Sequence, residues 1–301
     1  MAYELEILGD KINNPKGEIV FIHGICHGAW CWKYFLTYFS DAGYQCYAVS
    51  LRGHSNSEGK EDLDTFTLSD YVADVESVVA DCNTKPFLVG HSMGGAVVQW
   101  YIRKNKDTVQ GAVLLAPATA PHMGIGEIIP KNKYLWCATR IAWDMYDRSN
   151  ISGKRKKIVQ NAAFFISRGK NGEMIHRIED TSCYETLLQP ESLKITSGVK
   201  TSGGIKIKPF GDLTKTYAKK CDVHIPVFVI GSRADLYFPQ KSLEKTANAH
   251  VQNGKTALVI LEDLCHDMML DPEWKVSAKP ILDFIEDPIT FVNKPENHWP
   301  R

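Results

Sequence analysis

The sequence has no excess of charge of either sign and no long apolar run. Its 301 residues carry 35 Lys and Arg against 35 Asp and Glu, so it lacks the basic surface that nucleic acids or anionic membranes select. Its uninterrupted apolar runs fall short of the roughly 20 residues that are needed to cross a bilayer. We therefore expect a small-molecule partner, no nucleic-acid partner and no membrane span.

Paired cysteine spacings and a targeting segment are also missing. The N-terminal residues 1–7 alternate acidic and apolar side chains and have neither a basic start nor an apolar signal core. In a chain without a leader, scattered cysteines are expected to be reduced thiols, which indicates a cytoplasmic protein. The eight cysteines lie at positions 26, 31, 46, 82, 137, 183, 221 and 265.

One group of neighbouring residues has metal-ligand chemistry, namely His23, Cys26, His27 and Cys31. Structural metal sites usually draw their ligands from paired clusters at regular spacing. Here His23 ends a predicted strand, Cys31 lies in a predicted helix, and no second paired cluster accompanies them. We therefore expect no metal site.

The composition is that of a globular protein with a full core. Hydrophobic residues make up 44% of the chain, which is enough for one large domain or for a domain with an insertion. Short apolar strands alternate with amphipathic helices, and this order predicts an α/β protein with a mostly parallel sheet covered on both faces. The predicted strands lie at 3–7, 19–22, 46–51, 87–89, 109–116, 225–230 and 257–261, and the predicted helices at 29–42, 67–82, 96–101, 240–249 and 273–286.

The alternation of strands and helices stops between residues 121 and 220. This stretch contains a helix-like aromatic run at 134–146 and a second apolar run at 158–166. We interpret 121–220 as an inserted, largely helical cap. It divides the core into a first part, 1–120, and a second part, 221–301.

The hexapeptide GHSMGG at 90–95 stands between a predicted strand and a predicted helix. A Gly-x-Ser-x-Gly turn in this setting lifts a serine hydroxyl above the edge of the sheet. The flanking glycines are needed because the backbone is strained and packs too closely for side chains. Most isolated serines are structural, but the position of Ser92 at such an elbow makes it the candidate nucleophile.

An acidic residue and a histidine follow Ser92 in chain order, each after a predicted strand. The loops at the carboxyl ends of parallel strands converge on one edge of the sheet, so Asp235 and His266 can meet Ser92 there. A serine hydroxyl needs a base to take its proton, and the imidazole needs a carboxylate to hold its tautomer. We assign His266 as the general acid and base and Asp235 as the orienting carboxylate. Asp263 and Asp267 are nearer to His266 in sequence and remain alternatives.

Two backbone amides are candidates for binding the negative charge that develops on a substrate oxygen. The loss of one such donor typically costs about 2.7 to 4 kcal/mol of transition-state stabilisation. The first candidate is the amide of Met93, directly after Ser92 and at the amino end of a helix. The second is the amide of Ile25, in the loop after the strand 19–22. Gly24 would let this loop approach the site closely, although it could also be an ordinary turn glycine.

Together these residues resemble the α/β-hydrolase superfamily of serine hydrolases over nearly the whole chain. The resemblance rests on the HG pair at 23–24, the LRGH motif at 51–54, the elbow at 90–95, Asp235 and His266. It implies the α/β-hydrolase fold, an eight-stranded, mostly parallel sheet flanked by helices, with a helical cap inserted after the sixth strand. It also implies a Ser-His-Asp mechanism that uses no cofactor.

Two shorter segments resemble particular groups of enzymes within the superfamily. The loop at 23–30 looks like that of plant methylesterases and hydroxynitrile lyases, whereas the segment 266–271 looks more like that of bacterial esterases. The lyases usually carry threonine at the position of Gly24 and lysine directly after the catalytic histidine, where this chain has Asp267. These departures argue against cyanohydrin cleavage. Epoxide hydrolases and haloalkane dehalogenases place an aspartate at the elbow, so Ser92 argues against both.

The sequence therefore predicts a serine hydrolase that cleaves a carboxylic ester of a small or medium apolar substrate through an acyl-serine intermediate. Three alternatives remain, namely a thioesterase or lipase-like acyl hydrolase, a hydroxynitrile-lyase-like enzyme, and a non-catalytic ligand-binding protein of the same fold. The substrate-binding residues are not identified. Aromatic residues of the insertion could line an apolar pocket or form the core of the cap. They are Trp136, Trp143, Tyr146, Phe164 and Phe165.

Overall fold

The computed structural model describes residues 4–7, 12–118, 164–184, 186–196, 200–201, 204–205, 223–238, 240–251 and 254–299. In chain order the strands are β1 (Glu4–Ile7), β2 (Glu18–Ile22), β3 (Gln45–Ser50), β4 (Phe87–His91), β5 (Gly111–Leu115), β6 (Ile166–Arg168), β7 (Met174–His176), β8 (Lys200–Thr201), β9 (Gly204–Ile205), β10 (Val227–Ser232) and β11 (Thr256–Leu261). The helices are α1 (Lys33–Asp41), α2 (Leu68–Asp81), α3 (Met93–Lys104), α4 (Leu193–Thr196), α5 (Gln240–Asn248), α6 (Lys275–Glu286) and α7 (Pro288–Asn293). Short 3-10 helices lie at Ala29–Trp32, Leu63–Thr65 and Ser182–Tyr184.

The central element is a seven-stranded sheet in the order β1-β3-β2-β4-β5-β10-β11. Strand β1 runs antiparallel to β3, and every other neighbouring pair is parallel. The prediction of a mostly parallel α/β-hydrolase sheet is therefore confirmed. The count differs from the eight strands that the resemblance implied, because the described residues contribute one antiparallel strand before β2. Counted over the described residues, the insertion follows the fifth strand rather than the sixth.

The buried strands read as continuous apolar runs because both faces of the sheet are covered. In β2, Ile19 and Phe21 point into one hydrophobic cluster while Val20 and Ile22 point into another. The first cluster lies under α1, α6 and α7, and the second under α2, α3 and α5. The period-2 geometry of a strand thus distributes one apolar run between two cores.

The predicted core elements occur close to their expected positions. The helix expected at 29–42 is divided into a 3-10 turn and α1, and Cys31 lies in the 3-10 turn rather than in the α-helix. The helix that follows Ser92 begins at Met93, three residues earlier than the apolar periodicity indicated. This shift matters for the site because it brings the amide of Met93 to the first turn of α3.

The described residues of the insertion differ from the largely helical cap that the sequence predicted. They form the hairpins β6–β7 and β8–β9, a 3-10 turn and the four-residue helix α4. Ile166, the last residue of the apolar run at 158–166, opens β6 because it pairs with His176 across the hairpin. The aromatic run at 134–146 lies outside the described residues, as do Trp136, Trp143 and Tyr146.

None of the described helices combines the length and the hydropathy that are needed to cross a membrane. No disulfide bond joins the described cysteines Cys26, Cys31, Cys46, Cys82, Cys183 and Cys265, and Cys137 and Cys221 lie outside the described residues.

Candidate active site

Ser92 lies at a sharp turn between β4 and α3, where its backbone adopts φ 51° and ψ −114°. This left-handed φ is unusual for a residue with a side chain and stores backbone strain. The turn is held by two backbone bonds: the Ser92 amide donates to Leu115 O at 3.0 Å, and Ser92 O accepts from the Ala118 amide at 2.8 Å. Both partners belong to β5 and its extension, so the neighbouring strand supports the strained turn.

The glycine at position 94 is required because the elbow packs directly on β2. A Cβ atom added there would collide with the carbonyl oxygens of Ile22 and His23. Only a glycine allows α3 to begin this close to the end of β2. The close approach brings the loop after β2 next to Ser92.

His266 and Asp235 are brought together at the same edge of the sheet. Asp235 follows β10 and His266 follows β11, and these two strands are parallel neighbours. Nδ1 of His266 lies 2.9 Å from Oδ2 of Asp235, and both side chains are buried. The Nδ1–H therefore donates to the carboxylate, which leaves Nε2 with the lone pair that a general base needs.

The charge of Asp235 changes the acidity of His266. Burial alone would lower the pKa of the imidazole, but the nearby carboxylate and its hydrogen bond outweigh burial and raise the pKa above the usual 6.5. Asp235 is itself held by the amides of Tyr237 and Phe238, which donate to Oδ1 at 2.7 and 3.3 Å. The carboxylate is thus fixed in position by its own loop.

The two other carboxylates near His266 in sequence do not occupy this position. Asp263 is exposed, and Oδ2 of Asp267 lies 2.9 Å from Nε2 of His27. Asp235 is therefore the carboxylate that contacts Nδ1 of His266. Sequence distance did not distinguish these three residues.

His91 joins the elbow to the histidine loop. Its Nε2–H donates to His266 O at 3.1 Å, and the two rings have centroids 4.7 Å apart. Burial and the neighbouring His266 lower the pKa of His91 well below its usual value, so the ring is neutral. Because His91 directly precedes Ser92, this bond holds the elbow at Ser92 against the loop that carries His266.

The loop at 24–28 passes beside the elbow, where the sequence predicted an oxyanion donor. A Cβ added to Gly24 would lie 2.9 Å from Nδ1 of His91 and 3.0 Å from Cβ of Ser92. Gly24 is therefore more than an ordinary turn glycine, because the loop comes this close only without a side chain. The next residue is Ile25, and Met93 begins α3 on the other side of Ser92.

Two residues of the insertion, Glu191 and Gln189, also bind the loop at 24–28. Cys26 adopts a φ of 65°, which is rare for a residue with a side chain. Its amide donates to Oε2 of Glu191 at 3.4 Å, and its carbonyl accepts from the Gln189 amide at 3.0 Å. No sequence pattern around these residues indicated the contact.

Glu191 is the centre of a second buried polar cluster. Its carboxylate accepts hydrogen bonds from His54 Nε2 at 3.0 Å and from the Tyr71 hydroxyl at 2.7 Å. His54 belongs to the LRGH motif at 51–54, one of the motifs that carry the family resemblance. The motif thus helps to hold the insertion on the core.

Aromatic rings surround the imidazole of His266. The ring centroids of Tyr237 and Phe238 lie 4.6 and 5.5 Å from it, and Phe164 of the insertion stacks on it at 6.3 Å. Phe165 instead packs against Tyr184 at 5.2 Å, within the insertion. Of the two aromatic residues that the structure describes here, one therefore covers the site and the other forms part of the insertion's own core.

Within the described part of the chain, one group of side chains is close enough to hold a metal ion, formed by His91, His266 and Asp267. It includes none of the four residues with metal-ligand chemistry in the sequence. His266 uses Nδ1 for Asp235, and His91 uses Nε2 for His266 O. These ring nitrogens are already engaged in hydrogen bonds within the protein, and we assign no metal to the group.

Comparison with known families gives one extensive match. The family described as serine aminopeptidase, S33, matches residues 13–273. This range contains Ser92, Asp235 and His266, together with the loop at 24–28. The match therefore extends over both parts of the core and across the insertion.

Curated relatives match a shorter part of the chain. Esterase PIR7B of Oryza sativa subsp. japonica is 29% identical over 119 residues, which is 38% of this chain and 44% of the relative. The pFDCC methylesterase MES16 of Arabidopsis thaliana is 31% identical over 135 residues, or 42% and 51%. The monoacylglycerol lipase of Mycolicibacterium smegmatis is 33% identical over 121 residues, or 38% and 43%. The chain spans about half the length of these relatives.

Solved structures match over nearly the whole chain at low sequence identity. The monoacylglycerol lipase of Paleococcus ferrophilus has a TM-score of 0.62 at 18% identity, covering 97% of this chain and 100% of that one. The esterase EaEST of Exiguobacterium antarcticum has a TM-score of 0.67 at 14% identity, covering 95% and 96%. At these identities the likeness establishes a shared fold.

Proposed function

Since the chain belongs to the serine aminopeptidase S33 family of α/β hydrolases, we propose that it hydrolyses a carboxylic ester through an acyl-serine intermediate. The observation that carries the proposal is the buried bond between His266 and Asp235 beside the strained elbow of Ser92. Binding alone requires neither a strained serine nor an oriented imidazole. A non-catalytic protein of the same fold is therefore a weaker explanation of the site.

In the first half of the reaction, Oγ of Ser92 attacks the ester carbonyl while Nε2 of His266 takes its proton. The electron pair of the C=O bond moves onto the oxygen, which the amides of Ile25 and Met93 bind. Asp235 stabilises the imidazolium that forms. The intermediate collapses, the bond to the alcohol oxygen breaks, and His266 gives its proton to the leaving alcohol.

In the second half, a water molecule gives a proton to Nε2 of His266 and attacks the acyl-serine. The same two amides bind the second oxyanion. Collapse then breaks the bond between the acyl carbon and Oγ of Ser92, and His266 returns the proton to the serine. The products are one alcohol and one carboxylic acid, and the enzyme is regenerated without a cofactor.

The proposed substrate is a small or medium ester with an apolar acyl or alcohol group. Phe164, Tyr237 and Phe238 surround the imidazole of His266 with apolar surface, which is typical of ligand sites for such groups. The names of the matched relatives, an esterase, a methylesterase and a monoacylglycerol lipase, point to ester bonds as well.

The other reactions of this fold receive less support. Hydroxynitrile lyases usually carry threonine at the position of Gly24, and here a Cβ would lie only 2.9 Å from Nδ1 of His91. Asp267, which stands where those enzymes carry lysine, is engaged with His27. A thioesterase would use the same catalytic residues, and comparison of matched oxygen and thiol esters distinguishes it.

We also propose that 121–220 acts as a cap over the site and that the protein works in the cytoplasm. Phe164, which stacks on His266, supports the first proposal. The free thiols of the described cysteines fit a reducing compartment and support the second. Fractionation of the source cells tests the compartment, and exchange of the insertion between family members tests whether it selects the substrate.

The proposed activity is tested with p-nitrophenyl esters from acetyl to dodecanoyl, with wild type and Ser92→Ala under identical conditions. We expect turnover by the wild type and none by the variant, because the variant has no nucleophile. The preferred chain length reports the depth of the acyl site. Activity that persists in Ser92→Ala would show that another residue is the nucleophile, and a folded wild type inactive on every ester would refute the proposal.

A further inference from the structure

We propose that His27 and Asp267 form a positioning pair that holds the oxyanion loop, residues 24–28, against the loop of the general base. The inference rests on the proposed ester hydrolysis and adds two residues to it. Neither residue touches the reacting atoms in the mechanism above. Both act through Ile25, whose amide is the proposed oxyanion donor.

His27 makes one hydrogen bond from each nitrogen of its ring. Its Nδ1 lies 2.6 Å from Ile25 O, and its Nε2 lies 2.9 Å from Oδ2 of Asp267. The side chains of His27 and Asp267 are 1% and 0% exposed. The contact joins the loop after β2 to the loop after β11.

The hydrogen-bond partners determine the protons of this pair. A carbonyl oxygen only accepts, so Nδ1 of His27 carries a proton and donates it to Ile25 O. The contact between Nε2 and Asp267 then requires a second proton between nitrogen and oxygen. Burial alone would raise the pKa of Asp267, but the attraction of His27 and the neighbouring histidines lowers it. Asp267 is therefore a carboxylate that accepts from Nε2 of His27, and each ring nitrogen of His27 makes one hydrogen bond.

Asp267 connects three parts of the catalytic apparatus. It directly follows His266 in the chain, its Oδ2 holds His27, and its Oδ1 lies 3.7 Å from Nε2 of His91, next to Ser92. Oxyanion donors must be held to within about 0.5 Å of the productive position. A single buried carboxylate that contacts the base loop, the elbow and the oxyanion loop provides such a restraint.

The loop has a physical need for this restraint. Cys26 stands in the left-handed region at φ 65°, a conformation that is unfavourable for a residue with a side chain. Without contacts to neighbouring elements, the loop would relax toward more favourable backbone angles. The bond from His27 to Ile25 O resists that change from one side of Cys26, and Glu191 and Gln189 resist it from the other.

A double-mutant cycle on wild type, Asp267→Ala, His27→Ala and the double variant tests the proposal in steady-state ester hydrolysis. Each single variant should lower kcat about 100-fold, the effect of losing one oxyanion donor, and change KM by less than about threefold. The kcat of the double variant should lie within about threefold of that of the less active single variant, because both substitutions remove the same interaction. Additive losses, or losses confined to KM, would overturn the proposal.

Asp267→Asn separates positioning from simple structural support. Its amide can donate to Nε2 of a neutral His27, so kcat should recover to within about tenfold of wild type. The matched control is Glu18→Gln, a buried carboxylate at the opposite end of β2, which is bonded to Tyr47 and Thr84. The control should lower the thermal midpoint while leaving kcat within about threefold. Equal kcat losses in Glu18→Gln and Asp267→Ala would show that general destabilisation is responsible.

The pair is also tested without activity, which separates it from the proposed function. The ¹⁵N signal of His27 Nδ1 should show a hydrogen bond to Ile25 O in the wild type, and this bond should weaken in Asp267→Ala, which removes the partner at Nε2. A His27 whose Nδ1 is bonded to Ile25 O in a protein that hydrolyses no ester would leave the pair intact and refute only the ester activity. A wild type in which Nδ1 of His27 makes no bond to Ile25 O would overturn the proposal, whatever the activity.

Discussion

The carboxylate of Glu191 lies 3.0 Å from Nε2 of His54, and both side chains are fully buried. The two residues are 137 positions apart, so the bond attaches the insertion to the loop after β3. Burial would raise the pKa of Glu191 and lower that of His54, but their mutual attraction reverses both effects. The two groups are therefore a charged pair in the native protein.

Replacement of Glu191 by Gln should lower the free energy of unfolding by about 3 to 5 kcal/mol, because the His54 charge is left buried without its partner. The difference should be largest between pH 4.5 and 6.5, the usual pKa values of the two groups. The contribution of Glu191 is lost as the pH falls through its lowered pKa, and that of His54 is lost as the pH rises through its raised pKa. Urea unfolding of the wild type and of Glu191→Gln at several pH values measures this difference in the free energy of unfolding.

The control for this prediction is Glu262→Gln, which removes an exposed carboxylate paired with Arg233. Exposed pairs contribute about 0.2 to 1 kcal/mol, so the variant should remain close to wild type at every pH. A Glu191→Gln difference that does not change with pH would contradict the assignment of a charged pair.

Replacement of Asp235 by Asn should lower kcat/KM by about 10⁴, because the amide favours the wrong tautomer of His266. In the wild type, the acidic limb of the pH profile should have its midpoint above pH 6.5, since Asp235 raises the pKa of His266. In the variant this midpoint should move down, because the carboxylate charge is gone. The control Asp263→Asn changes an exposed carboxylate three residues before His266 and should keep both rate and profile. A loss of rate in Asp263→Asn with a normal rate in Asp235→Asn would identify Asp263 as the carboxylate that orients His266.

Replacement of Gly24 by Ala should lower kcat by about 10- to 100-fold, because a displaced oxyanion donor loses most of its effect within about 1 Å. The added Cβ would lie 2.9 Å from Nδ1 of His91 and 3.0 Å from Cβ of Ser92, which forces the loop away from the elbow. The control is Gly17→Ala, near the start of β2, where a Cβ would meet only Tyr44 at 3.6 Å. Equal activity of Gly24→Ala and wild type would show that this loop does not bind the oxyanion.

Replacement of Phe164 by Ala should change the acyl-chain preference by about tenfold or more, because the ring that stacks on His266 and Tyr237 is lost. The variant Phe165→Ala is a matched control, since both residues are almost fully buried but Phe165 packs on Tyr184. Both variants should lose about 3 to 5 kcal/mol of stability. If selectivity changes equally in the two variants, Phe164 has no special position at the site.

Much of the fold could be predicted because it depends on short-range patterns. Apolar runs such as Ile19–Ile22 form strands with both faces buried, and the GHSMGG elbow at 90–95 produces the expected strained turn at Ser92. The strand predicted at 3–7 is β1, and its alternation did not indicate that it would run antiparallel at the edge of the sheet, because that depends on pairing with β3. The described hairpins of the insertion likewise depend on pairing rather than on periodicity.

The site was only partly predictable. Ser92 was identified from a local turn, but the choice among Asp235, Asp263 and Asp267 required knowing which carboxylate faces Nδ1 of His266. His27 was considered only as a metal ligand, whereas the structure pairs it with Asp267. Glu191 has no distinguishing neighbours in the sequence, and its role appears only when the insertion is packed against the core.

The sequence by itself determined the alternation of strands and helices, the elbow at Ser92 and the edge of the sheet where the polar loops meet. These features follow from backbone geometry and side-chain periodicity over a few residues. Only the tertiary structure showed that Asp235 contacts Nδ1 of His266, that Asp267 contacts His27 and that Glu191 contacts His54. The stability of a buried charge depends on the partner that faces it, and that partner comes from a loop distant in the chain.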